Sequence, residues 1–409
     1  MKKDNEIVKR LVDEYGSPLY LFDKKEFIRN YEHFVDCMRN EYDKYALSYS
    51  YKTNYAPYIC KLVKDLGGYA EVVSDMEYYF AKKIGYKDSE IIYNGPVKGE
   101  FGYDMLLNGG KLNVDSIDEL KRIIEFSKNH PDNLIRIGLR VNIDIGQDFI
   151  SRFGIDSESQ DLFRAIQMVE DVDNLEIQGL HCHVGRSRTT KSWTNRANRI
   201  IQIVDTYFKN QKLEYIDLGS GMYGEMDNEL SVQFGSNLPS YAEYAAAIGE
   251  VFRSYYSNHD YADKPVLFTE PGTTIVNHYI DFVGTVSSIK SIKNKEFVVL
   301  DCSKHNLGEI SYLKKLPINI IHNGDTFLDL KDASIVGYTC LEHDVMYTGF
   351  HGELGIGDFI IFSNVGGYSN VSKPPFILPN CPMISIEGDK VDIIKRKETF
   401  DDILSTYVM

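Results

Sequence analysis

The sequence predicts an α/β protein in two parts, a (β/α)8 TIM-type barrel and a C-terminal all-β domain. Three observations predict it. First, strand-like runs alternate with amphipathic segments of helical spacing from Tyr45 to Thr269, and their short, glycine-containing connections imply right-handed crossovers and a parallel sheet. Second, strands and helices number eight each, the count that closes a barrel. Third, past about Asp281 the texture changes to short strand-like runs without a long helix, as in a β domain. A doubly wound open sheet is the alternative for the first part, but no Gly-x-Gly-x-x-Gly follows an early strand, which weighs against its dinucleotide-binding form.

In order, Ser17 to Asp23 reads as a short strand, and Lys24 to Tyr42 as a helix with Phe27, Tyr31, Phe34 and Met38 on its apolar face. Barrel strands are expected at 45–51, 69–73, 90–93, 111–114, 135–141, 175–183, 215–218 and 266–269. Helices are expected at 58–66, 76–84, 117–128, 162–169, 196–208 and 241–256, with 99–109 a weaker one. The later strands fall at 297–300, 318–321, 327–330, 359–362, 383–386 and 390–394, the last two joined by a Gly-Asp hairpin turn. The domains read as 26–280 for the barrel and 281–409 for the β domain, which the N-terminal strand within 1–25 joins.

A chain of 409 residues, 43% hydrophobic and 26% charged, is large enough for two cores. Its net charge of -15 argues against nucleic-acid or anionic-membrane partners. The start, Met1-Lys2-Lys3-Asp4-Asn5-Glu6, lacks the apolar core of a signal peptide, and no apolar run reaches transmembrane length, so a cytoplasmic location is expected. Cysteines 37, 60, 182, 302, 340 and 381 form no Cys-x-x-Cys pair, which indicates neither a disulfide framework nor a zinc ribbon. In His181-Cys182-His183 a strand would turn the two histidines to one face and the cysteine away, and no second ligand cluster accompanies them. No metal is expected.

Lys52 closes the first barrel strand, in Tyr49-Ser50-Tyr51-Lys52-Thr53-Asn54. Strand C-terminal ends are where barrel enzymes hold their chemistry, and a desolvated lysine amine condenses with a carbonyl. Taken alone, a solvated lysine ending a strand is the plainer reading. Three further strand ends favour the chemical one. His183-Val184-Gly185 offers an imidazole able to lie flat on a planar ring, and a glycine that lets backbone N–H groups approach an anion. Asp217-Leu218-Gly219-Ser220-Gly221 is a small-residue loop suited to a phosphate, though a tight turn needs glycines too. Glu270-Pro271-Gly272 puts a carboxylate at the mouth, where a protonated pyridine nitrogen would partner it. In the second domain, Cys340-Leu341-Glu342-His343-Asp344 and Gly366-Gly367-Tyr368-Ser369 offer a thiol, acids and a phenol. Each alone also reads as an ordinary polar loop.

In this order, the motifs resemble those of the fold-type III, or alanine racemase-fold, pyridoxal-phosphate-dependent decarboxylases, the family of diaminopimelate, ornithine and arginine decarboxylases. The resemblance spans nearly the whole chain and extends to Glu71-Val72-Val73-Ser74, Tyr93-Asn94-Gly95-Pro96, Arg140-Val141-Asn142 and Ser151-Arg152-Phe153-Gly154. It implies that Lys52 carries the internal aldimine, that His183 stacks on the pyridine, and that Glu270 holds the ring nitrogen protonated. Glu71, Arg140, Gly185, Gly219, Ser220, Gly221, Gly272, Thr273 and Tyr368 join Lys52 around pyridoxal 5'-phosphate. The family's head-to-tail homodimers share their sites, so Cys340 would donate a proton in the neighbour's site, with Glu342 and Asp344 facing the substrate.

Two departures bear on the substrate. The family's Glu-Pro-Gly-Arg has Thr273 in the last place, and the acid that grips a distal amine after the interface cysteine is Leu341. Ser303-Lys304-His305-Asn306-Leu307 also lacks the arginine-proline segment of diaminopimelate decarboxylases. Loss of a buried ionic partner costs about 2 to 5 kcal/mol in recognition. The expected substrate is therefore an α-amino acid with a modified or conjugated far end. The rivals are an amino-acid racemase of the same fold and a non-catalytic decarboxylase homologue that binds a partner.

Overall fold

The computed structural model describes residues 5–146, 149–260, 263–388 and 390–408. Residues 1–4, in the expected N-terminal segment, and Asp389, in the expected hairpin turn, lie outside the described residues. The chain divides into two compact units, Asn30–Gly224 with Leu238–Thr274, and Met1–Arg29 with Glu225–Asn237 and Ile275–Met409.

The first unit is a closed parallel barrel. Its strands are β1 (Tyr45–Ser50), β2 (Tyr69–Val72), β3 (Ile91–Tyr93), β4 (Lys111–Val114), β5 (Ile135–Asn142), β6 (Leu175–His181), β7 (Tyr215–Asp217) and β8 (Val266–Thr269). Each pairs in parallel with the next, and β8 pairs with β1 to close the ring. The intervening helices are Pro57–Asp65, Asp75–Ile84, Glu100–Leu106, Ile117–Lys128, Asp161–Glu170, Thr190–Tyr207 and Tyr241–Tyr256. Ser74, Ser116 and Ser240 start three of them by accepting the N–H three residues on.

The period-2 pattern of β1 has a different cause from the half-exposed strand it suggests. Five of its six residues are buried, because a barrel strand has the interior layer on one side and helices on the other. Ala46 packs inward with Ile92, Tyr215 and Phe268, while Tyr45 meets Phe34 of the Lys24–Glu41 helix. Gly138 and Gly179 admit the large Tyr215 side chain. A Cβ at either would lie 2.2 Å from its hydroxyl or 2.4 Å from its ring.

The second unit is a nine-stranded mixed sheet. Its long path runs Val345–Leu354, Leu328–Val336, Lys295–Leu300, Ile280–Ile292, Leu19–Asp23, Met383–Glu387, Lys390–Lys395, with Ile318–Ile321 and Phe359–Phe362 pairing off it. Leu19–Asp23 lies antiparallel to Ile280–Ile292 and parallel to Met383–Glu387, so the N-terminal strand is built into the later sheet. The helix Asn5–Tyr15, absent from the expected elements although Ile7, Val8, Leu11, Val12 and Tyr15 recur at helical spacing, buries Val8 and Leu11 against Leu19, Leu21, Val283 and Ile384. Two strands were also missed. Ile280–Ile292 is buried for its first half and exposed in its last residues, so no single period describes it. Val345–Leu354 contains Gly349 and Gly352 at positive φ and is bulged against its neighbour.

Residues 225–237, inside the range read as barrel, belong to this second unit. Glu225 accepts from Arg29 and Tyr279, both at 2.7 Å, and Asp227 accepts from Asn364 at 2.6 Å. Among the described residues no helix is long and apolar enough to cross a membrane.

Candidate active site

The mouth of the barrel is built from strand ends. β1 stops at Ser50 and the chain tightens into a 3-10 turn over Tyr51–Thr53, with Tyr51 and Thr53 buried. Tyr51 is anchored among the rings of Tyr49 and Tyr86. The turn between these anchors carries Lys52 off the strand, and its amine lies 2.6 Å from Glu71 Oε2. Ser50 Oγ donates to the same oxygen at 2.6 Å.

A buried polar chain leads from Glu71 to Glu270, which follows β8. Asn94 Nδ2 sits 3.5 Å from Glu71 Oε1 and donates to Glu270 Oε1 in a short contact. Asn113 Nδ2 donates to Asn94 Oδ1 at 2.6 Å, and Tyr215 donates to Asn113 Oδ1 at 2.7 Å, which fixes the orientation of each amide. Arg140 donates to the Asn94 carbonyl at 3.2 Å and pairs with Asp115 at 3.0 Å. The other Glu270 oxygen accepts from His183 Nδ1 at 2.7 Å. His181 Nε2 lies 2.9 Å from Oε1 but out of line for a hydrogen bond.

Burial pushes the His181 pKa down to about 4, against the pull of Glu270, and lowers that of His183 as well. For Glu270, burial alone acts upward, but the contacts with His181 and His183 outweigh it and hold the acid well below the usual carboxylate range. The charge of the cluster thus sits on Glu270, and both imidazoles are neutral at pH 7. Asp217, which ends β7, is pushed well above the carboxylate range by burial and then by the Glu270 charge. It accepts the Gly219 N–H at 2.8 Å. His181, His183 and Glu270 offer ligand atoms within 4.8 Å of one another, a spacing that a small cation can bridge.

The glycine loops meet beside this cluster. Gly219 and Gly221 take φ of 64° and 114°. A Cβ on either would lie 2.6 Å from the carbonyl of Cys182 or Val184, so the loops approach as closely as backbone allows. At Gly272 a Cβ would strike Thr53 Oγ1 at 2.0 Å. Gly185 faces open space, with only His183 Nε2 at 3.7 Å. Thr273 opens the short helix Thr273–Val276. Behind the loops lies Arg196, a residue that sequence reading passed over. It is fully buried and donates to three of their carbonyls.

The remaining candidates belong to the other unit. Cys340 and Glu342 are exposed. Asp344 differs from expectation: it is buried and its carboxylate is occupied. One oxygen accepts from Ser303 Oγ at 3.1 Å and the Lys304 N–H at 2.8 Å, and the other from Thr339 Oγ1 at 2.7 Å. That bonding ties two loops together and leaves it little capacity for a ligand. Tyr368 is half-buried in the left-handed region at φ 53°, a conformation costly for a side chain with Cβ and often kept at functional sites. It lines a cavity of about 560 Å³ with Leu341, Tyr312 and Phe376.

Within the barrel, the residues fit pyridoxal phosphate. An amine stands at a strand end, an anionic carboxylate and a neutral imidazole are held together, and side-chain-free loops leave room for an anion. Residues 26–277 match the family model of the pyridoxal-dependent decarboxylase, pyridoxal binding domain. The chain is 26% identical over 97% of its length to diaminopimelate decarboxylase of Archaeoglobus fulgidus, covering 94% of that protein. To the enzyme of that name from Aquifex aeolicus it is 25% identical, with 97% and 93% covered. Its fold matches the crystal structure of diaminopimelate decarboxylase from Methanocaldococcus jannaschii with a TM-score of 0.84 at 23% identity, over 98% of this chain and 94% of that one. Lysine decarboxylase from Selenomonas ruminantium superposes with a TM-score of 0.76 at 21% identity, over 95% and 97% of the two chains. The chain belongs to the fold-type III pyridoxal-dependent decarboxylases, the family that includes the diaminopimelate, ornithine and arginine enzymes, and is a pyridoxal-phosphate-dependent amino-acid carboxy-lyase.

Proposed function

We propose that this enzyme decarboxylates an α-amino acid whose far end is not a simple free amine, in a homodimer that shares its two sites. The observation that carries the chemistry is the buried Glu270 carboxylate, held by His183 Nδ1 at 2.7 Å and by the Asn94 amide, 176 residues away in the chain. When bound, pyridoxal phosphate supplies an electron sink for the pair released with carbon dioxide. Lys52 provides the amine for the cofactor's carbonyl, and Glu71 with Ser50 aims it. Glu270, as a weak base, would pair with a positive ring nitrogen and leave the proton there. His183, pinned through Nδ1, presents its ring face. Gly185, Gly219, Ser220, Gly221, Gly272 and Thr273 take the phosphate, and Arg140 steadies Asn94. Cys340, exposed in its own chain, delivers a proton to the α-carbon in the partner's site.

Specificity for the far end rests on Leu341, with Thr273 in support. An apolar side chain offers a distal ammonium no counter-charge, and the cavity beside Leu341 is walled by Tyr312 and Phe376. Glu342 is the exposed acid available to a polar group on the substrate. A second reading, free diaminopimelate, is favoured by the names of the relatives. Carbon dioxide release over a panel of free and conjugated amino acids separates the two. Efficient turnover of lysine, ornithine or diaminopimelate, with no gain from conjugated substrates, refutes the first. Loss of α-hydrogen stereochemistry without carbon dioxide marks a racemase, and a chain that takes up no cofactor marks a binding homologue.

A further inference from the structure

We propose that Arg196 is the buried counter-charge for the cofactor's phosphate, acting through the two glycine loops it clamps. This rests on the assignment of those loops to the phosphate. Arg196 lies on the inner face of Thr190–Tyr207 with Trp193, Ala197, Ile200 and Val204, all buried. Its guanidinium stacks 3.9 Å from the Trp193 ring centroid. One terminal nitrogen donates to Leu218 O at 2.7 Å and Ser220 O at 2.9 Å, and the other to Val184 O at 2.7 Å. Among the described residues no carboxylate lies within ion-pair distance of it, Glu270 and Asp217 acting on it only from farther off, and its Nε has no partner. Carbonyl dipoles solvate a buried cation without neutralising it, so its charge is left to attract an anion seated on the loops.

The bonds also set where that anion goes. In a trans peptide the C=O and N–H point in opposite directions. Holding Val184 O and Ser220 O on the guanidinium therefore turns the N–H groups of Gly185 and Gly221 away from it, out of the opposite side of the two loops. The N–H after Leu218 is already taken by Asp217. Two donors from two loops, backed by a full positive charge in a dry site, form an anion pocket stronger than backbone alone provides. Burial lowers the Arg196 pKa to about 10, which leaves it charged at neutral pH.

The test titrates the cofactor-stripped full-length chain with pyridoxal 5'-phosphate, with pyridoxal and with inorganic phosphate, in the wild type, Arg196→Met and Arg196→Lys. Wild type is expected to prefer the phosphate ester and to rise in Tm with inorganic phosphate. Arg196→Met should lose about ten-fold or more in affinity for the ester, change little toward pyridoxal, and no longer respond to phosphate. Arg196→Lys, which keeps the charge but not the fork, should retain part of the preference. A variant that weakens both cofactor forms alike, or that keeps the full preference, overturns the proposal. If Arg196→Met does not fold, Arg196→Lys with undiminished preference, or a wild type indifferent to inorganic phosphate, overturns it. A wild type that binds pyridoxal and its phosphate equally well sinks the phosphate assignment of the loops itself.

Discussion

Lys52 Nζ lies 2.6 Å from Glu71 Oε2, the lysine side chain being 31% exposed and the glutamate side chain fully buried. An open nucleophile is thus aimed by a rigid acid. Lys52→Ala should abolish turnover and covalent cofactor retention, and borohydride reduction with peptide mapping should place the pyridoxyl group on Lys52 and nowhere else. Glu71→Gln keeps the shape but loosens the aim, and kcat should fall about ten- to a hundred-fold, in keeping with the cost of a misplaced reacting group.

Glu270→Gln preserves most contacts at the cluster while removing its charge. Turnover should drop by about a hundred-fold or more, the scale of losing one preorganised electrostatic partner. Cofactor affinity should change far less. Parallel measurement of kcat and the cofactor dissociation constant tests this, and unchanged turnover would contradict the electron-sink role.

Acid should destabilise the barrel through His181. Its folded pKa is about 4, below the ordinary value, so between about 6.5 and 4 the unfolded chain binds a proton that the folded chain refuses. Stability from this group is therefore present above pH 6.5 and lost as pH falls, by up to roughly 3 kcal/mol. Glu77 opposes it: burial raises its folded pKa to about 7, so its contribution is lost as pH rises from 4.5 to 7. Denaturant titrations of Glu77→Gln should show the acid sensitivity more steeply than wild type, and adding His181→Gln should flatten it. A Glu77→Gln curve no steeper than wild type refutes the assignment.

Shared sites make a stoichiometric prediction. Equal mixing of inactive Lys52→Ala and inactive Cys340→Ala subunits gives half heterodimers, each with one intact site, and so about a quarter of wild-type activity if the dimer is two-fold symmetric. No recovery after mass spectrometry has verified subunit exchange places Cys340 outside the partner's site.

Much of the fold is legible because helix and strand periods and turn glycines are local. Ile117–Lys128 and Tyr241–Tyr256 have the bounds that the pattern predicts. Reading failed where the local signal was mixed. Two glycines disguised Val345–Leu354. The sequence pattern starts the helix carrying Arg196 at 196 rather than 190, which makes Arg196 look like an end residue instead of a charge on the apolar face. A full turn more of periodicity, from Trp193, was the signal that would have found it. Asn94, just past β3, and Asn113 and Asp115, at the end of β4, are invisible as partners because the groups they meet lie on other strands distant in the sequence.

By itself, the sequence determined the eightfold alternation, the order of the motifs and hence the family, since these depend on side-chain period and identity along the chain. Only the closed barrel decided which groups carry charge. It brings His183 to Glu270 across 87 residues and makes them one titrating cluster. It leaves Arg196 without a carboxylate at ion-pair distance among the described residues, while the β unit fills the Asp344 carboxylate with its own donors. Ionisation depends on desolvation and on neighbours distant in the chain, and both exist only once the ring of strands has closed.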